Sequence, residues 1–191
     1  MMITIDDRFN HDTMMLLTHM VGKVMNGYTH DPFLFSTAVF RIVGITVNDS
    51  TYAITNQIEP KDYFGATEDV ASFRLEELPT EKIHSYIAGN QMIVTPVGKR
   101  ITAIDVVNET QKLFRNHVQT YEVNLTRGII FHFEDDTELS FEKNVWFSED
   151  ISVEKGYKLI ERFTPTEEFA ENWEDELSGS CVREMLTIKT S

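Results

Sequence analysis

Two short stretches hold the residue types from which a recognition or catalytic site is most easily built. DYFGATEDV, residues 62–70, and VWFSEDI, residues 145–151, each set an aromatic pair before a small residue and a Glu-Asp step. The pairs are Tyr63-Phe64 and Trp146-Phe147, and the acids are Glu68-Asp69 and Glu149-Asp150. Rings beside carboxylates suit recognition of a basic protein, because a ring supplies a desolvated anchor and a carboxylate meets Lys or Arg. The plainer reading puts one ring of each pair in the core and uses the Glu-Asp oxygens to cap a turn. Two further acidic groups extend the recognition set. Glu134, Asp135 and Asp136 occupy a turn, and Glu167, Glu168, Glu171, Glu174 and Asp175 share one face of a helix at 100° per residue.

Catalytic chemistry has fewer sources. His11-Asp12 and His30-Asp31 are the metal candidates and the basis for an Asp/His-dependent hydrolase as the alternative function. His19 lies between them, but it is eight residues from His11, two helical turns away and out of reach of a shared ion. Neither EDDTE nor WEDE has the central Gly and terminal Glu of a calcium loop. Cys181, in SGSC, has no local base or cation to lower its pKa, and its spacing is not that of a nucleophile elbow. The nine glycines form no phosphate cradle. No catalytic residue and no cofactor is assigned from the sequence.

These residues need elements to hold them. Met14, Leu17, Met20, Val21, Val24 and Met25 recur at helical spacing and predict a helix over 11–26. STAVFRIVGITV and TYAITNQI predict a hairpin with Val47 opposite Tyr52 and an even loop of two or four residues. VASFRLEEL predicts a third strand, and Pro79-Thr80 opens a short helix over 80–88. QMIVTPV, ITAIDVVN, VQTYEVNLT, GIIFHFE and TELSFEK read as strands. Phe133 opposite Leu139 puts Asp135, Asp136 and Thr137 at a hairpin tip. KLIERF reads as a strand or a helical turn. Thr164 as N-cap, Pro165 at the first position and Glu167 in a capping box predict an amphipathic helix over 165–177, broken by Gly179 and followed by the strand CVREMLTIK.

The fold expected is therefore α+β, mainly antiparallel, with an N-terminal helix, an amphipathic C-terminal helix and barrel-like or strongly bent sheets. The chain reads as a single domain, 1–191. Its element order also permits two similar β units, an N-terminal half over 1–90 and a C-terminal half over 91–191. Gly44 to Tyr63 spans 19 residues and Gly128 to Trp146 spans 18, each interval covering strand, turn, strand and aromatic pair.

Composition bounds the function. Among 191 residues the net charge is −14, and residues 134–191 alone hold 16 acids against 6 bases. Such a field opposes nucleic-acid phosphates and anionic membranes and favours basic proteins. One basic stretch, Lys99, Arg100, Lys112, Arg115, His117 and Arg127, lies near Phe114 and Tyr121, and its expected role is to neutralise the acidic C-terminal third. A single cysteine and no apolar run of membrane length point to a cytoplasmic protein without disulfides. The function expected is non-catalytic binding of a basic protein, as an inhibitor, antidote or nucleic-acid mimic. The partners expected are a basic protein, no nucleic acid and no membrane, with a homo-oligomer permitted. A third reading is a structural or assembly subunit of a mobile element.

Overall fold

The computed structural model describes residues 2–171, 173 and 176–190, with the side chain of Tyr63 outside that set. The chain opens with strand β1, Ile3–Asp7, and helix α1, His11–Met20. The Asn10 side chain accepts from the Thr13 N–H at 2.9 Å and starts α1. The helix stops well short of residue 26. Gly22 takes φ +85°, its N–H donates to Ile101 O at 2.8 Å, and Ile101 N–H donates to Lys23 O at 2.8 Å. Val24–His30 then forms strand β2. One apolar period had spanned two elements, since Leu17 and Met20 of the helix and Met25 and Tyr28 of the strand all enter the core.

Strands β3, Ala38–Phe40, and β4, Ile42–Val47, lead into β5, Ser50–Tyr63, and β6, Ala66–Glu77. The β4–β5 ladder pairs Val47 with Ser50 and Ile45 with Tyr52. The loop has two residues, and the register is two residues from the expected one. A shift of two keeps every side chain on its face, so alternation alone does not select between the registers. The choice is local: Asn48 takes φ +50°, and its side chain accepts from Val24 N–H at 3.1 Å. The helix expected over 80–88 is reduced to a 3₁₀ turn, Thr80–Lys82, after which the Ile83 methyls cover Gly44.

Strand β7, Ile93–Arg115, is 23 residues long and joins two expected strands. Its first part pairs with β2, from His30↔Ile93 to Val24↔Arg100. The rest pairs with β8, Val118–Phe133, on one side and with β11, Leu177–Lys189, on the other. Register shifts at Met25/Gly27 and at Ile101/Ala103, with Gly98 at φ +66°, mark where β7 passes from one set of neighbours to the next.

Strands β9, Glu138–Lys143, and β10, Asp150–Gly156, continue the sheet beyond β8. Phe131 faces Leu139, not Phe133, and the hairpin tip is Glu134-Asp135-Asp136. Asp136 at φ +64° donates its N–H to Phe133 O at 3.0 Å and closes this three-residue loop. KLIERF is a helical turn, Leu159–Arg162.

Helix α2 is Glu167–Glu171, five residues instead of the thirteen expected. Thr164 is tied elsewhere, its N–H to Glu142 Oε1 at 2.9 Å and its carbonyl to Arg183 Nη2 at 2.6 Å. Gly179 does not break a helix but sits inside β11, where a Cβ would stand 2.5 Å from Trp173 Nε1 and 2.8 Å from Phe169 Cε1. Its bare backbone is the floor on which the rings of Phe169 and Trp173 rest.

The sheet order is β3-β10-β9-β8-β7-β2-β4-β5-β6, with β1 beside β8 and β11 beside β7. It is open, ending at β3 and β6, so the expected barrel does not close. Among the described residues β1 on β8 is parallel and the other ladders are antiparallel. The α+β, mainly antiparallel architecture holds. The main core draws Met25, Ile45, Ile54 and Phe73 from the first half and Ile104, Phe131, Phe141 and Ile151 from the second. No helix among the described residues is long and apolar enough to cross a membrane.

Candidate functional site

The two aromatic-acidic stretches meet. Each lies at the second turn of a three-strand meander, β4-β5-β6 and β8-β9-β10. Phe64 sits in the β5–β6 turn at φ +57°, and Trp146 in the β9–β10 connection at φ +34°. Their ring centroids are 6.5 Å apart. Phe169 of α2 lies 5.7 Å from Phe64 and 5.9 Å from Trp146. Trp173 lies 5.2 Å from Phe64 and 5.5 Å from Trp146. Tyr121 of β8 closes the cluster at 5.8 Å from Phe64, its hydroxyl so near Gly65 that a Cβ there would be 2.8 Å away. Burial and the Asp62 charge raise the Tyr121 pKa. Phe147 is edge-on to Trp146 at 6.0 Å and half exposed.

Backbone and charge fasten the second turn to the first meander. Ala71 N–H donates to Trp146 O at 3.0 Å. Asn56 Nδ2 donates to the carbonyls of Ser148 at 2.9 Å and Asp150 at 3.0 Å. Ile58 N–H donates to Glu149 Oε1 at 3.0 Å, and Arg41 Nε lies 2.7 Å from the same oxygen. Glu149 is thus a buried staple between the second stretch and the first meander.

The remaining sequence candidates divide into two places. Glu68 and Asp69 are exposed on β6, and Glu167, Glu168 and Glu171 are exposed on α2, so both groups flank the aromatic cluster. Asp150, half-buried, starts β10 in the same turn. Glu134, Asp135 and Asp136 are exposed at the other end of β8. From Tyr121 to Phe133 the strand advances twelve residues, about 40 Å. There Asp135 lies 2.7 Å from Lys99 and Glu134 3.8 Å from Arg100. Hydrogen bonds from Lys99 and Thr137 pull the Asp135 pKa down to about 2. The Tyr63 side chain, Glu174 and Asp175 lie outside the described residues.

Beneath the aromatic cluster is a cavity of about 150 Å³, lined in part by Glu109, Gln111, Arg127, Trp146, Phe169 and Cys181. Its polar wall is a buried charge layer. Arg127 Nε donates to Glu142 Oε1 at 2.9 Å, Arg183 Nη2 to Glu109 Oε1 at 2.5 Å, and Gln111 Nε2 to Glu109 Oε2 at 3.1 Å. Half-buried Lys61 extends the layer, its Nζ 2.6 Å from Asp7 Oδ1 and hydrogen-bonded to Ser72 Oγ. Burial, then the Arg127 charge, lowers the Lys143 pKa to about 7. Burial, then the Glu109 charge, pushes Cys181 up to about 12, so its thiol stays protonated at neutral pH.

Sequence reasoning missed this layer. One signal was present: Leu139, Phe141 and Lys143 alternate, so a strand that buries the first two also points the lysine inward. Glu109 and Arg183 gave no comparable sign, because they lie 74 residues apart, and Arg127 meets Glu142 only once the register of β8 on β9 is set.

His11 and Asp12 are exposed in the first turn of α1. His30 ends β2, stacked on Tyr28 at 5.4 Å and on Phe33 at 4.8 Å, with Asp31 buried and accepting from Ser85 Oγ at 2.8 Å. Among the described residues no three His, Cys, Asp or Glu side chains are grouped to hold a metal. A half-exposed dyad that the sequence did not suggest joins His132 Nε2 to Asp105 Oδ2 at 2.7 Å, with Glu138 3.5 Å from the other ring nitrogen. The hydrogen bond to Asp105 raises the His132 pKa.

No family model, no curated protein and no solved structure matches the chain.

Proposed function

We infer that the chain is a non-catalytic, cytoplasmic binding protein that receives a basic protein at the end where the two aromatic-acidic turns and α2 converge. The observation that carries this reading is the convergence itself. Three acidic segments far apart in sequence place Glu68, Asp69, Glu167, Glu168 and Glu171 in solvent around Phe64, Trp146 and Phe169, with the Phe147 ring half exposed beside them. A ring with a polar rim is how recognition surfaces anchor and orient a partner. Charge supports it too. At least ten of the 17 Lys and Arg side chains, among them Lys61, Lys99, Arg127 and Arg183, are held in ion pairs, while net charge stays at −14. The surplus carboxylates therefore set the outer field, which speeds encounter with a cationic surface such as the cleft of a nuclease.

The test is binding to a panel of cationic nucleases, measured at several salt concentrations. At least one should bind, with affinity falling as salt rises. A combined Glu68→Gln, Asp69→Asn, Glu167→Gln, Glu168→Gln and Glu171→Gln variant should bind about tenfold or more weakly, as expected for loss of several rim charges. Glu134→Gln with Asp135→Asn should change little, because those acids are engaged by Lys99 and Arg100 at the other end of β8. A set of basic proteins that all fail to bind, or an affinity unmoved by the five-fold neutralisation, refutes the reading.

A further inference from the structure

Arg127 is only 3 % exposed, and its Nη2 is buried without an acceptor in the protein. Native interiors rarely leave such a donor unpaired, because it loses its hydration and gains nothing in return. This guanidinium lines the cavity under Trp146 and Phe169. The charge layer around it is also unbalanced. Among the described residues Asp7 serves both Lys61 and Arg74, Glu142 serves Arg127 and Glu109 serves Arg183. Lys143, 4 % exposed, has no carboxylate of its own, yet it is near enough to Arg127 and Glu109 for their charges to act on it. Lys143 is thus a buried amine with no carboxylate beside it, and with its pKa near 7 it carries part of a positive charge at neutral pH.

Shape narrows the class. The apolar walls of the cavity are Trp146, Phe169, Val145 and Pro165, with Thr164, Thr166 and Cys181 beside them, and its volume is about 150 Å³. A cavity of that size admits a benzene ring. Both Glu109 oxygens are already taken, by Arg183 and Gln111, and Glu168 stands on the exposed side. One unengaged cationic donor over apolar walls suits a single carboxylate on a small flat body. A phosphate would bring more charge and need more donors than the cavity offers.

We propose that this cavity binds a small monocarboxylate about the size of benzoate, its carboxylate accepting from Arg127 Nη2 and its apolar body lying against Trp146 and Phe169. The ligand supplies the acceptor that Arg127 lacks. The cavity shares Trp146, Phe169 and Glu168 with the protein-binding rim, but its anchor, Arg127, is not among the rim residues, so the two readings are tested apart.

The experiment is titration of the full chain with benzoate and with benzamide, its uncharged counterpart, by calorimetry and by tryptophan fluorescence. Benzoate should bind at one site and perturb Trp146 emission. Benzamide should bind about tenfold or more weakly, the worth of one charge-assisted hydrogen bond. Arg127→Gln should lose a similar factor, and Cys181→Phe, which fills the cavity from β11, should abolish binding. Absence of saturable benzoate binding at millimolar concentration overturns the proposal, as does equal affinity for benzamide or undiminished binding in Cys181→Phe. If Arg127→Gln fails to fold, the benzoate-to-benzamide ratio in the unaltered chain decides the matter alone.

Discussion

Lys143 and Glu149 show how far residue type alone can mislead. Glu149 reads as a surface acid, yet it is buried, with Arg41 and the Ile58 N–H on one oxygen. Lys143 reads as the polar end of a strand, yet the alternation after Leu139 and Phe141 carries it inside. Its ammonium pays for that position. The ordinary lysine pKa of 10.5 falls to about 7, with burial the largest cause. Below about pH 7 the side chain is charged in both folded and unfolded chains, and the burial penalty is present in full. Between about 7 and 10.5 the unfolded chain holds a proton that the folded chain has released, so stability rises with pH through that window. Lys143→Met, similar in length and without charge, should therefore raise the unfolding free energy near pH 6 by on the order of a few kcal/mol. It should also flatten the alkaline rise. Urea denaturation at several pH values checks both, and a Lys143→Met protein less stable near pH 6 would mean that the ammonium is well paired.

Gly179 raises the matching problem for elements. As a glycine after an amphipathic run it signalled a helix end, but it lies in β11 under Trp173 and Phe169. Gly179→Ala would push a methyl into both rings, so it should destabilise by about 1–3 kcal/mol, as overpacking usually does. Tryptophan emission should shift as the rings lift from β11. Ser178→Ala, at the exposed neighbouring position, is the control and should be near neutral; a Gly179→Ala protein that melts like the control would show that the rings yield freely. The strands over 42–58, 101–108 and 118–143 were legible because their β-branched and aromatic residues alternate. Both hairpin registers were displaced by two residues, because only turn geometry at Asn48 and Asp136 distinguishes them. Strand β1 escaped notice because Ile3 and Ile5 are too short a pattern without β8 beside them. Strand β2 was absorbed into a helix whose apolar period ran past Gly22. Of the candidate site, the rings and acids were visible as types, but their meeting depends on contacts between turns some eighty residues apart in sequence.

Across the whole molecule, β7 decides whether the chain has halves. The residues before it supply β2, β4, β5 and β6, and those after it supply β8 to β11, yet both sets pair with or pack around this one strand. Removing residues 91–191 would leave β2 without its β7 partner and would expose Met25, Tyr28, Ile45, Ile54 and Phe73 on a face they now share with Phe131 and Phe141. It would also leave β3 without β10 and Lys61 without the buried layer formed with β8 and β9. A meander with one stripped face has too little apolar burial to offset its conformational entropy. The fragment 1–90 should accordingly show no cooperative thermal transition by circular dichroism. The intact chain should unfold in one step, with tryptophan fluorescence and far-ultraviolet signals coinciding. A cooperative transition in the isolated fragment would mean that the repeated β order marks two units able to stand apart. Its absence would mean that the two meanders, whatever their origin, depend on a core that neither can build alone, and that the aromatic meeting point between them forms only once both are in place.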